Sequence, residues 1–164
     1  MTTPLIYLAF VFHLVLCLGC VAPTSPPINS MPEVATTALS NATSIELISL
    51  NPALNQEPKN DYHGFEMLGA VVIDDIETVN LLVKTFKSGV EEHDGSVADC
   101  FNPRHGIKFT VDGQLFEFVI CFECLQVKWK IDGKDQKGFL ISASPQLILD
   151  RILTDAGVEL APPS

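Results

Sequence analysis

The pair Asp112-Gly113 constrains the fold of this chain more than any other feature. It follows the alternating stretch Ile107-Lys108-Phe109-Thr110-Val111 and precedes a long β-prone run, residues 114–131 (QLFEFVICFECLQVKWKI). Asp-Gly between two such runs signals a two-residue β-hairpin, because both central residues of that turn need positive φ. A two-residue turn also sets the register. Val111 then faces Gln114, Phe109 faces Phe116, Ile107 faces Phe118, His105 faces Ile120 and Phe101 faces Cys124. That face is almost wholly apolar and should meet helices. The opposite face sets Lys108 against Glu117, Arg104 against Cys121 and Asn102 against Glu123. Lys108 opposite Glu117 is a favourable cross-strand pair.

Residues 65–73 (FEMLGAVVI) read as a buried strand, and Asp74-Asp75 supplies an N-cap for the helix that follows. In that helix Ile76, Val79, Leu82, Val83, Phe86 and Val90 keep helical spacing until Gly89 and the His93-Asp94-Gly95-Ser96 cluster end it. A second pair, Asp132-Gly133, starts a looser turn, and residues 139–142 return as a strand. Ser144-Pro145 combines an N-cap with proline at the first helical position. Leu147, Ile148, Ile152 and Leu153 follow, and Gly157 is a C′ stop. The order β-α-β-β-β-α, with consecutive hairpins, predicts an α+β fold: a small antiparallel sheet with two helices packed on one face. This single domain is expected over residues 61–164, long enough to fold alone.

Ahead of it, residues 5–18 are apolar apart from His13, and Gly19, Cys20 and a Pro/Ser stretch follow. The pattern is that of a signal peptide over residues 1–19, although no Lys or Arg precedes the apolar run. The run is shorter than the roughly 20 residues that span a bilayer. The Leu18-Gly19-Cys20 end resembles a bacterial lipoprotein cleavage site, with Cys17 where Leu is usual and Leu18 where a small residue is usual. Cleavage before Cys20 makes it the lipidated first residue, and two or more acyl chains give stable anchoring. An ordinary cleaved signal or an uncleaved anchor helix are the alternatives. Residues 20–60 are rich in Pro, Ser, Thr and Asn and read as a flexible tether. Within it, residues 45–50 (IELISL) are apolar enough to form a short strand or to dock on the domain. The expected address is exported and membrane-anchored, on the periplasmic side or at the cell surface. A formal net charge of -10 argues against a nucleic-acid partner, whose affinity rests on Lys and Arg neutralising phosphate. The sequence names no protein partner.

Regular alternation places Cys121 and Cys124 on opposite strand faces. The apolar phase nevertheless changes between them and Leu125. Phe116, Phe118 and Ile120 are even-numbered, whereas Val127, Trp129 and Ile131 are odd-numbered. A β-bulge shifts the phase in this way, so one is expected on the CxxC segment. Arg104 opposite Cys121 would favour the thiolate.

Three readings of the cysteines stay open. In the first, Cys100, His105, Cys121 and Cys124 form a Cys3His set suited to zinc. The spacing is not that of a standard finger, and the register holds His105 several pairs from Cys124. In the second, CxxC is a redox pair activated by Arg104. In the third, the cysteines are structural, as a disulfide in an oxidising compartment or as buried free thiols. One disulfide leaves one of the three unpaired. Arg104 alternatively pairs with Glu123 or Glu117, or holds an anionic ligand, with Glu123 as a supporting group. His105 alternatively is a satisfied core histidine, and His63 and His93 should be solvated. No Ser/His/Asp order or nucleotide loop is present, and no cofactor is certain, zinc being the one candidate.

Cys100-Phe101-Asn102-Pro103-Arg104-His105-Gly106, followed by Val119-Ile120-Cys121-Phe122-Glu123-Cys124, resembles the CFxPRHG and VICFxC segments of an uncharacterised bacterial family of predicted lipoproteins. The resemblance runs from Met67 to Pro162. It implies a bacterial origin and export, and no reaction. The expectation for function is therefore a membrane-anchored extracytoplasmic binding or structural module. The alternative is a thiol-based metal-binding or redox protein.

Overall fold

The structure, a computed structural model, describes residues 30–53 and 60–162. The signal sequence, Cys20 and the start of the expected tether lie outside the described residues. The elements are α1 (Glu33–Asn41), β1 (Ile45–Asn51), β2 (Asp61–Tyr62), β3 (Phe65–Ile73), α2 (Ile76–Glu91), β4 (His105–Val111), β5 (Gln114–Cys121), β6 (Gln126–Ile131), β7 (Lys134–Asp135), β8 (Phe139–Leu140) and α3 (Gln146–Asp155). One antiparallel sheet runs β2-β3-β1-β4-β5-β6-β7, and β8 also pairs with β6. The fold is α+β, with a larger sheet and one more helix than the sequence suggests.

The difference lies in residues that read as tether. β1 sits in the middle of the sheet, between β3 and β4. Its Ile45 and Leu47 join the main core, while Ile48 and Leu50 join a smaller cluster on the other face. A strand buried on both faces is a continuous apolar run without alternation. Short runs of that kind do not announce themselves by periodicity. α1 adds Ala35, Ala38 and Leu39 to the same core, and Met31 is buried just ahead of it. The expected boundary is corrected accordingly: the folded unit begins near Met31, and only the earlier part of residues 20–60 remains for a tether.

The hairpin follows its predicted register from Val111↔Gln114 through Phe109↔Phe116 and Ile107↔Phe118 to His105↔Ile120. Asp112 (φ 52) and Gly113 (φ 78) both take the left-handed conformation that this turn requires. Asp132 (φ 50) and Gly133 (φ 76) repeat the device, and Ile131↔Lys134 shows a tight turn where a looser one is expected. On the helix face Phe109, Phe116, Phe118 and Trp129 form a ladder of stacked rings. Val79, Leu82 and Phe86 of α2 and Leu149 and Leu153 of α3 close over that face.

The far face carries its own cover. Tyr62 lies against Gly106, where a Cβ would stand 2.7 Å from the ring. Its hydroxyl donates to the Ile107 carbonyl at 3.1 Å. Burial first, and then Glu117 and Glu46, push this phenol well above the ordinary tyrosine range. Lys108 faces Glu117 in register, yet its ammonium pairs with Glu46 of β1 at 2.8 Å.

Caps follow the sequence at α2, where the Asp75 carboxylate accepts from Thr78 N at 2.9 Å. The Thr78 hydroxyl and N–H hold that carboxyl below its ordinary value. Gly89 lies inside α2 rather than ending it: a Cβ there would stand 2.3 Å from Pro145 Cγ, so the glycine lets the α3 entry pack on α2. Ser144 does not cap α3 by side chain; its hydroxyl bonds Glu92 at 2.6 Å. Gly157 (φ 74) stops α3 as expected, with Val158 N bonded to Leu153 O at 2.9 Å. Among the described residues, no helix is long and apolar enough to cross a membrane.

Candidate functional site

β5 ends at Cys121 and β6 begins at Gln126, and these two residues face each other. Residues 122–125 are therefore a chain reversal. Across it Phe116 faces Ile131, Phe118 faces Trp129 and Ile120 faces Val127. Even-numbered residues of one strand thus share a face with odd-numbered residues of the next. The expected β-bulge is corrected: the phase change marks a turn, not an extra residue in one long strand. The turn carries no Gly, Pro or Asn, and Leu125 itself takes the left-handed conformation (φ 57). That costs a residue with a Cβ roughly 1–2 kcal/mol. The Leu125 carbonyl accepts from Ile141 N at 3.1 Å, which ties the reversal to the chain after β8.

The reversal brings the two cysteines together. Cys121 and Cys124 are buried and form a disulfide, with Cα atoms 5.2 Å apart. Cys100 is exposed and free, and its Sγ lies 3.0 Å from Cys124 Sγ. Its segment is pinned beside the turn, because Gln126 Nε2 donates to Ala98 O at 2.7 Å. Two main-chain N–H groups point at the bridge: Cys124 N lies 3.1 Å from Cys121 Sγ, and Asn102 N lies 3.4 Å from Cys124 Sγ. Cys124 thus lies within reach of both other sulfurs that sequence reasoning grouped with it.

His105 is elsewhere. Its side chain is 2% exposed, and its Nε2 lies 2.7 Å from Asp150 Oδ1 on α3. A carboxylate only accepts, so Nε2 carries the proton. The ring meets Phe122 edge-on. No protein atom among the described residues hydrogen-bonds Nδ1. Ser49 stands opposite His105 on β1, and its buried Oγ has no hydrogen-bond partner among the described residues. The Cys3His grouping is not assembled, because α3 takes the histidine. Among the described residues, no group of three or more His, Cys, Asp or Glu is arranged to hold a metal ion.

Arg104 does not face Cys121. The β4–β5 register ends at His105↔Ile120, with Arg104 N still donating to the Ile120 carbonyl at 3.3 Å, and the guanidinium goes to Glu123, Nε to Oε1 at 3.0 Å. Its Nη1 donates to the Pro162 carbonyl. Glu123 lies in the turn between the bridged cysteines, not on a strand face with Cys121. Arg104, His105, Glu123, Gln146, Asp150 and residues 160–162 line a groove of about 650 Å³.

His63 is not solvated as expected. It occupies the β2–β3 turn (φ 56), and its Nε2 lies 3.5 Å from Glu117 Oε1, close enough for charge attraction but not bonded in hydrogen-bond geometry. His93 stays in its loop, where Nδ1 accepts from Gly95 N at 2.9 Å. Sequence reasoning missed Asp150, Ser49 and the C-terminal segment. Asp150 is one acidic residue on an amphipathic helix, and only the fold brings it to a histidine 45 positions away. Comparison of the chain with protein-family models, with curated proteins and with solved structures finds no match.

Proposed function

We propose that the protein is an exported module, held at a membrane by its N-terminal lipid or anchor, whose working element is a thiol–disulfide relay of Cys100, Cys121 and Cys124. The approach of the Cys100 sulfur to 3.0 Å from Cys124 Sγ, beside an existing bridge, carries this reading. The step is an exchange. The Cys100 thiolate attacks Cys124 Sγ, the Cys100–Cys124 bond forms, and the Cys121–Cys124 bond breaks. Cys121 leaves as a thiolate and takes up the proton that Cys100 gave up. No oxidant or reductant is consumed. The Cys124 N–H, already 3.1 Å from Cys121 Sγ, stabilises the charge on the leaving sulfur. The result moves the free thiol from an exposed site to a buried one.

The apolar run ending at Cys20, the Pro/Ser stretch after it and the resemblance to predicted lipoproteins support the address and a bacterial origin. Export also puts the cysteines where disulfides persist. The exposed Cys100 gives a partner's thiol or disulfide its entry to the relay.

Glutathione challenge of the full chain in detergent tests this. Within the CxxC pair each cysteine resolves an adduct on the other, so the relay is read in Cys121→Ser: its Cys124–glutathione adduct should be displaced by the Cys100 thiolate, releasing glutathione and leaving a Cys100–Cys124 bridge on peptide mapping. A Cys124 adduct that persists beside a free Cys100 contradicts the relay. Stoichiometric zinc bound by the reduced chain, and lost in each Cys→Ser variant, would move the reading to a metal site.

A further inference from the structure

Another cavity opens on the sheet face away from α2 and α3, and the thiols take no part in it. Its volume is about 190 Å³. A cavity of roughly 150 Å³ already holds benzene. Phe65, Phe101 and Val119 form its apolar wall, and the two rings stand 6.2 Å apart. Glu117 and Val119 of β5 face Lys130 and Lys128 of β6 in register, so the wall is rimmed by charge. An apolar wall with a few fixed polar groups is the make-up of a small-molecule site. The charges here are not evenly paired. Lys130 has its partner in Asp135, Nζ to Oδ1 at 3.4 Å. Lys108, opposite Glu117 on β4, is taken by Glu46. Glu117, its side chain only 15% exposed, is left with His63 Nε2 at 3.5 Å, outside hydrogen-bond geometry. Lys128 rests its ammonium 3.8 Å from the centre of the Phe101 ring and makes no ion pair among the described residues. A carboxylate held largely out of water normally has a cation or hydrogen-bond donors to offset its desolvation. This one has neither, and the nearest spare cation lies diagonally across the strand pair.

We propose that this cavity binds a small zwitterion with an apolar body, the class of the aliphatic α-amino acids. Glu117 takes the ligand's ammonium, and Lys128 turns from Phe101 to take its carboxylate. The aliphatic body lies against Phe65, Phe101 and Val119. A cation resting on a ring at the surface is weakly held, so little is lost when it turns to a carboxylate. Charge selects this class over its relatives. A ligand with an ammonium alone leaves Lys128 unpaired beside a like charge. A ligand with a carboxylate alone brings a second anion to Glu117. Only a ligand with both answers both residues. His63 closes the side of the cavity from the β2–β3 turn and keeps water from that flank of Glu117. The site is independent of the thiol relay, and neither depends on the other being present.

Trp129 also lines the cavity and is the one tryptophan of the chain, so its fluorescence reports occupancy in the full chain in detergent. The probes are L-leucine, 3-methylbutylamine and 4-methylpentanoate, which share one aliphatic body and differ in charge. Leucine should saturate the signal with a dissociation constant on the order of a millimolar, and each single-charge analogue should bind at least about tenfold more weakly. Glu117→Gln should weaken leucine at least about tenfold and leave 4-methylpentanoate no weaker. Lys128→Gln should weaken leucine and leave 3-methylbutylamine no weaker. Equilibrium dialysis with labelled leucine repeats the titration without reliance on the tryptophan. Absence of saturable leucine binding by both readouts overturns the inference. Leucine binding that both variants leave unchanged also overturns it, because the ligand then sits elsewhere. An analogue that binds the parent as tightly as leucine overturns the zwitterion class.

Discussion

Strand β5 is bounded by two reversals built on opposite principles. At its start, Asp112 and Gly113 turn the chain with residues suited to positive φ. At its end, Phe122, Glu123, Cys124 and Leu125 turn it with residues that have no such preference, and Leu125 sits left-handed. The first turn needs nothing beyond itself. The second is held from outside, by the disulfide, by Ile141 N on the Leu125 carbonyl and by Arg104 on Glu123. A turn that local preference opposes is one whose shape depends on its fastenings, and such places are where strain and function coincide. The candidate chemistry is at the second turn and not at the first.

The largest expected effect separates the two fastening systems. Cys124→Ala removes every bridge that the cluster can make, and should cost about 2 kcal/mol from loop closure alone. Cys121→Ala should cost less, because Cys100 can still bridge Cys124. Urea midpoints of the two variants read the difference directly, and equal losses would mean that Cys100 has no access to the bridge. Next in size is Gly113→Ala, which forces a Cβ into the left-handed region at the self-sufficient turn. About 1–2 kcal/mol should be lost there, with the disulfide linkage unchanged by mapping.

Leucine-to-glycine changes sharpen the comparison further. Leu115 and Leu125 are both half-buried, but only Leu125 has positive φ. Leu115→Gly should cost about 1–2 kcal/mol, from lost burial of a half-buried side chain and added backbone freedom. Leu125→Gly should fall within about 0.5 kcal/mol of the parent, because relief of the left-handed leucine offsets the same burial loss. Similar losses at both positions would mean that Leu125 carries no strain.

The smallest effect is absent at neutral pH. Burial keeps the Tyr62 phenol protonated beyond the range in which an unfolded tyrosine ionises. The unfolded chain then binds fewer protons than the native one above about pH 10, so stability is full below that pH and falls as pH rises past it. Tyr62→Phe should flatten that alkaline fall in urea midpoints. An unchanged slope would place its source outside the sheet centre.

Much of the fold was legible because it is local. The β4–β5 register needs only Asp112-Gly113 and the alternation around it, and the Asp75 cap and Gly157 stop need only their neighbours. β1 was not legible as a core strand. Its partners are 28 residues away at Ile45↔Ile73 and 62 away at Glu46↔Lys108, and its surroundings are rich in Ser, Thr and Pro. That insertion also redirected Lys108, which faces Glu117 but has Glu46 beside it on β1. The CxxC turn gave a signal, the change of phase, that a bulge and a reversal produce alike. What distinguishes them is Ile120↔Val127, a contact that no local pattern announces. The three cysteines lie together because they sit in two short segments at one end of the β4–β5 hairpin. His105 was grouped with them only by type, since Asp150 arrives from α3.

The relay is tested most directly by acid-quenching the air-oxidised full chain, alkylating its free thiols and mapping its disulfides. The account predicts two populations, one bridged Cys121–Cys124 with Cys100 alkylated and one bridged Cys100–Cys124 with Cys121 alkylated, in a ratio that re-establishes itself after either is enriched. A single Cys121–Cys124 linkage, with Cys100 alkylated in every molecule under all redox conditions, would contradict it.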